Sequence, residues 1–221
     1  MSATIPIFPL NTVVMPGQVV PLRVFEDRYL QMVEYLLDED DPAQRLFGTV
    51  AIRDGHEVGT PVQSWFRIGC LLQLTEAEVA PDGSVEIEAV GRSRIRLDRL
   101  HQDGDYPEGE VELLRDPLPE RAEEFVLRAT STFDTYRHVL SDISGEELLM
   151  GALPQDPTML SWSISAASML TMPERQALLE ESDVTLRLAL ATELLEEEIR
   201  TMSALPSLPA LGIGRNSWSP N

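Results

Sequence analysis

The chain has 221 residues, enough for one large domain or two small ones, and 43% hydrophobic with 24% charged content allows a sizeable core. Against 17 basic residues stand 37 acidic ones, a net charge of −20 spread over both halves, which disfavours phosphate backbones and anionic lipid surfaces as partners. Every basic residue is Arg, so chemistry that requires Lys, including the phosphate loop G-x-x-x-x-G-K-[ST], is excluded.

The first half reads as strands with one helix. Ile5 to Leu10 is apolar but broken by Pro6 and Pro9, which suits an edge strand. Met15-Pro16-Gly17 is a turn and Val19 to Val24 the next strand. From Phe25 to Leu37 the spacing turns helical, with Tyr29, Leu30, Val33, Leu36 and Leu37 on one face, until Asp38 to Pro42 stops it. Leu46 to Ile52 and Ile68 to Thr75 are β-branched, apolar strands. Pro81-Asp82-Gly83 is a turn, and Val85–Val90, Ser93–Leu100 and Glu110–Leu114 follow as three further strands. Short strands at this spacing, with little helix between them, suggest a partly closed barrel.

Asp116-Pro117-Leu118-Pro119 marks a boundary, after which the apolar period is 3.6. The stripe Ala122, Phe125, Ala129, Phe133, Tyr136, Leu140 is followed by Asp156 as an N-cap with Pro157 at the first helical position. Pro173 opens a short helix to Glu181, and Val184, Leu188, Ala191, Leu195, Ile199 and Met202 form a last stripe. The expected division is a β-barrel over residues 1–117, a helical bundle over 118–203 and a flexible tail over 204–221.

The lone Cys70, in an apolar run, reads as a buried strand residue and can form no internal disulfide. The start MSATIPIFPL lacks the basic and long apolar regions of a signal peptide, and no stretch reaches the roughly 20 apolar residues of a membrane span. A cytoplasmic protein is expected. The three histidines, His56, His101 and His138, are scattered without metal-ligand spacing, and no G-x-S-x-G elbow is present. Asp38 to Asp41 lack the spaced ligands of a calcium loop, and Gly212-Ile213-Gly214 follows no strand. No catalytic residue, metal or cofactor is expected.

Ile5-Pro6-Ile7-Phe8-Pro9-Leu10, Met15-Pro16-Gly17, Pro21-Leu22 and Phe25-Glu26-Asp27-Arg28-Tyr29 together resemble the opening of the Lon amino-terminal domain. Phe47-Gly48, Ile68-Gly69-Cys70, Gly91-Arg92-Ser93-Arg94, Glu174 to Glu180 and Arg187-Leu188 match its later landmarks in order and spacing. The resemblance, to a stand-alone bacterial member, implies an α+β fold: a PUA-like β pseudo-barrel followed by an α-helical bundle. It implies a part in capturing polypeptide substrate; with no Lys, the chain can hold neither the Ser–Lys dyad nor the nucleotide loop of Lon proteases. Within the opening motif, Phe25 and Tyr29 are placed to pack a helix on the barrel, and Arg28 to pair with its acidic neighbours.

The expected partner is an unfolded or partner polypeptide held between barrel and bundle, with Trp65, Phe66 and Trp162 as candidate contacts. Adjacent strand residues point to opposite faces, so one of Trp65 and Phe66 is a core candidate. Met169 is a further candidate on the helix of Trp162. An adaptor for an ATP-dependent protease, or a homo-oligomer joined through the stripe from Val184 to Met202, are alternatives. RNA binding is the runner-up, resting on Arg92, Arg94, Arg96 and Arg99; the first three alternate along a strand and would share a face. No aromatic lies among them, and cross-strand pairing with Glu86 and Glu88 is the duller explanation.

Overall fold

The computed structural model describes residues 2–53 and 64–204. His56 and Gly212-Ile213-Gly214 lie outside the described residues; of the expected tail over 204–221, Ala204 is the last residue of the final helix and 205–221 lie outside the described residues. The strands are β1 (Ser2–Pro6), β2 (Val19–Val24), β3 (Leu46–Thr49), β4 (Ile52–Arg53), β5 (Ser64–Trp65), β6 (Ile68–Val79), β7 (Val85–His101) and β8 (Glu108–Leu113). The helices are α1 (Asp27–Leu37), α2 (Glu123–Ser144), α3 (Pro157–Ala167), α4 (Met172–Glu180) and α5 (Val184–Ala204). The fold is therefore α+β.

The main sheet is antiparallel in the order β1-β8-β7-β6-β3, with β2 paired to the first part of β7. Two isolated parallel bridges, Ile7 with Gly48 and Leu10 with Ala51, bring its ends together into a pseudo-barrel. A Cβ on Gly48 would lie 2.7 Å from Ile7 Cδ1 and 2.8 Å from Ile95 Cδ1, so a side chain there would displace these isoleucine ends at the seam. Pro21 sits in β2, which pairs only with β7, and the missing N–H blunts that edge.

Two expected strands, Val85–Val90 and Ser93–Leu100, are one strand of 17 residues. Gly91 does not break it because the Met15–Gln18 turn lies on it: Gly17 N donates to Gly91 O at 2.8 Å and Gly91 N to Gln18 O at 2.9 Å. Gly17 has φ +81°, the left-handed conformation expected of it. In α1 the buried face is Tyr29, Met32, Val33 and Leu36, while Leu37 is exposed. Tyr29 stacks on Phe8 with ring centroids 4.3 Å apart, but Phe25 is 70% exposed and does not join the packing, because it precedes the helix. Arg28 pairs with Glu26 at 2.8 Å, as expected.

Three apolar clusters result. One joins α1 to the barrel through Val33, Leu36, Phe47, Leu72 and Leu74, and a second fills the barrel with Ile7, Val50, Leu71, Ile95, Leu97 and Val111. The largest lies among the helices, around Phe133, Tyr136, Leu160, Ile164, Leu178, Leu188 and Leu195, and includes Val13, Met15 and Ala51 from the first half. Cys70 is fully buried in the α1 cluster, and burial pushes its thiol up to about 12. The thiolate is the reactive form, so native protein should resist a thiol reagent at pH 8 and label fully once denatured. A stoichiometric label on the native protein, read by mass, would contradict this.

Helix ends are set by local chemistry. Asp156 Oδ1 accepts from Met159 N at 2.9 Å with Pro157 next, and Thr171 and Glu174 form a capping box. Asp183 Oδ1 accepts from Thr185 N at 2.8 Å and Leu186 N at 3.1 Å at the start of α5. The hydrogen bond from the Thr185 hydroxyl, then those from backbone amides, hold the Asp183 carboxyl below its ordinary 3.8. A depressed folded value makes this stabilisation present above pH 3.8 and lost as pH falls through the lower folded value. Asp183→Ala should cost about 1 kcal/mol at pH 7, the usual worth of an N-cap, and visibly less at pH 2.5 by urea melts. Equal losses at both pH values would show that the carboxylate is not the cap.

Candidate functional site

Strand β7 and helix α3 border a cleft of about 470 Å³. The Pro16-Gly17 turn and Gly91 contribute backbone on the barrel side; Met159 and Trp162 contribute side chains from α3. The turn can reach the strand only because residue 91 is glycine, since a Cβ there would lie 2.2 Å from Met15 O. Leu114 and Asp116, in the segment after β8, also line the cleft.

Beneath this surface lies a charged network. Arg94 and Arg187 are 4% and 0% exposed, and both bind Asp116, itself 14% exposed. Arg94 Nε donates to Asp116 Oδ1 at 2.8 Å, and Arg187 Nη2 to Oδ2 at 3.0 Å. The remaining donors are used as well. Arg187 Nε reaches Ser161 Oγ at 2.9 Å and Nη1 reaches Glu181 O at 2.6 Å, while Arg94 Nη1 reaches Leu179 O and Glu180 O at 3.3 Å. The last turn of α4 carries no basic residue of its own, so these two guanidinium groups from other elements satisfy its terminal carbonyls. Arg187 also lies over the Trp162 ring, its Cζ 3.5 Å from the centroid, which fixes the indole against the cleft. Burial lowers Arg187 to about 10 against the opposing pull of Asp116, which still leaves it charged at neutral pH.

Helix α4 ties the two halves together beside this network. Arg175 Nη2 donates to Val13 O at 2.9 Å, and Gln176 Nε2 to Ile68 O at 3.0 Å. The sequence motif Glu174-Arg175-Gln176 thus supplies a cap and two anchors.

The three aromatic candidates are not brought together. Trp162 is 6% exposed and lines the cleft. Trp65 is half-buried against the barrel cluster and Phe66 half-buried against the helical cluster, so these neighbours do face opposite ways, each onto a core. Neither lines the cleft. Met169 is exposed, its N–H bound to Tyr136 Oη at 2.9 Å. Asp116, read from sequence as part of a boundary, is the buried counter-ion, and Arg187 is the cation that sequence reasoning passed over.

The arginine stripe also differs from expectation. In the ladder Leu71 is opposite Ser93 and Leu72 opposite Gly91, so Arg92 is the extra residue of a β-bulge and the alternation fails there. Arg94 is buried; Arg96 pairs with Glu112 at 2.6 Å and Asp98 at 3.0 Å, and Arg99 with Glu110 at 3.6 Å. The expected partners Glu86 and Glu88 are not used, because β7 runs straight on and faces them with Arg23 and Pro21 of β2 and with Glu78 and Glu76 of β6. Among the described residues no group of three His, Cys, Asp or Glu is placed to hold a metal, and no helix is long and apolar enough to cross a membrane.

The family model described as the ATP-dependent protease La (LON) substrate-binding domain matches residues 4–197. The chain belongs to this family. It is similar to the Lon protease of Escherichia coli strain K12, 30% identical over 198 residues, covering 88% of this chain and 25% of that protein. It is also similar to the Lon protease of Rhizobium meliloti, 26% identical over 204 residues, covering 91% of this chain and 25% of that protein. The chain thus spans about a quarter of the length of the Lon proteases it matches. Among solved structures, a Lon N-terminal domain protein from Xanthomonas campestris has a TM-score of 0.62 at 26% identity, covering 92% of this chain and 99% of that one. The N-terminal domain of a Mycobacterium avium complex Lon protease has a TM-score of 0.64 at 18% identity, covering 88% of this chain and 99% of that one, a likeness of fold. A role of the Lon substrate-binding kind follows from the family. The landmarks quoted from the sequence of this Lon domain now have structural roles: the opening motif makes the seam and the cleft turn, and the Gly91–Arg94 motif makes the bulge and the floor.

Proposed function

We propose that the protein holds an extended polypeptide, an unfolded segment or a strand of a partner, in the cleft between β7 and α3, without catalysing a reaction on it. The observation that carries this reading is the cleft's make-up: a fixed indole and an exposed thioether, Trp162 and Met159, beside the exposed Gly17 of the turn. Flat aromatic and flexible Met side chains suit many apolar residues, and a preformed wall lowers the ordering cost of binding. Membership of a substrate-binding family supports the same reading. The absence of Lys, and two described histidines that only pair locally, with Glu110 and with Asp134 O, support a non-catalytic role. Trp65 and Phe66, half-buried on the two cores, do not line this cleft, so the reading rests on Trp162.

Met159 is 59% exposed, so Met159→Asp should fold normally. It should weaken binding of a labelled apolar peptide by about tenfold in fluorescence anisotropy, the loss expected from removing one interface anchor. A flat titration for the parent protein, or an unchanged affinity in the variant, would overturn the proposal.

A further inference from the structure

We infer that the cleft selects apolar segments carrying an acidic side chain, and that Arg92 reads it; this rests on the polypeptide reading above. Arg92 is the residue the bulge adds to β7, and bulges re-aim a side chain where the ladder would have turned it elsewhere. It lines the cleft and is exposed. Its Nε donates to Gln73 Oε1 at 2.8 Å, and Gln73 Nε2 in turn donates to Pro42 O at 2.9 Å, which orients the guanidinium and leaves both terminal nitrogens to a ligand.

In a chain of net charge −20, the arginines further along the same strand are neutralised: Arg94 by Asp116, Arg96 by Asp98 and Glu112, Arg99 by Glu110. Arg92 enters no ion pair among the described residues. Below it, Arg94 and Arg187 share the Asp116 carboxylate, with Glu181 and Asp183 also acting on Arg187. Arg92 therefore sets a cation with no ion-pair partner among the described residues at the cleft of an acidic protein, next to Trp162, Met159 and Leu114. A carboxylate fits the terminal nitrogens of Arg92 in the two-pronged manner that guanidinium favours. The acidic balance of the chain disfavours ligands carrying many acids.

The test uses three labelled apolar peptides that differ only in a central Glu, Gln or Arg. On the parent protein the Glu peptide should bind about fivefold tighter than the Gln peptide, with the Arg peptide weakest. Arg92→Gln should erase the preference for Glu over Gln, Arg92→Lys should restore part of it, and Arg200→Gln, the same charge change near the other end of α5 from Arg187, should leave it intact. Equal affinity for Glu and Gln on the parent would overturn the inference while the polypeptide reading stands. Binding of none of the peptides would overturn both, and a Glu preference that survives in Arg92→Gln would remove Arg92 as the reader.

Discussion

Asp116→Ala should lower the melting temperature by about 10 °C. The substitution leaves Arg94 and Arg187, 4% and 0% exposed, without their shared carboxylate. Breaking a buried ion pair by deleting one partner costs about 3–5 kcal/mol, mostly the desolvation of the orphaned charge. A protein of this size loses about 2–4 °C per kcal/mol. Asp116→Asn, which keeps one acceptor oxygen, should fall between parent and alanine variant. Replacing all three groups with Leu or Met of similar volume should recover much of the loss, because no buried charge then remains. Calorimetry decides: an alanine variant melting within 2 °C of the parent, by the same scaling, would mean that water or backbone carbonyls already carry the two cations.

Gly91→Ala comes next in expected size. The new methyl would meet Met15 O at 2.2 Å and Cys70 Sγ at 3.2 Å, and the first of these is backbone that cannot swing aside. The turn must lift off β7, breaking the hydrogen bonds between Gly91 and the Gly17-Gln18 segment. Overpacking of this kind costs about 3 kcal/mol, measured by urea denaturation, and it should weaken peptide binding as well because the turn forms a cleft wall. Gly17→Ala is the informative contrast. Nothing lies within 4 Å of its added Cβ, so only the strain of φ +81° remains, about 1 kcal/mol. Equal losses from the two substitutions would refute the close-contact account.

Much of this architecture is written in local patterns. The strand Val19–Val24, the α1 helix, the Asp156–Pro157 helix start and the stripe of α5 follow from alternation, period and capping chemistry, which act within a few residues. The continuity of β7 through Gly91 was not legible, because it depends on a turn more than 70 residues earlier lying against that glycine. The bulge at Arg92 was hidden for a similar reason: two strands must be aligned before an extra residue can be seen.

The cleft was half legible. Trp162 was a candidate from its residue type, and it does line the cleft. Asp116 was not, since Asp-Pro-Leu-Pro reads as a linker and its partner Arg187 lies 71 positions away. One signal went unused. Arg187 falls between Val184 and Leu188 on the apolar face of α5, where a cation has to find a buried partner. Trp65 and Phe66 were candidates of the same kind, and each is half-buried against a different core without lining this cleft.

Val13, Met15 and Ala51 belong to the helical cluster, and Arg175 and Gln176 clamp α4 to Val13 and Ile68. The opposed jaws are in effect cast in one piece. On the polypeptide reading, walls tied together in this way leave the adjusting to the guest, which favours an extended segment over a folded surface.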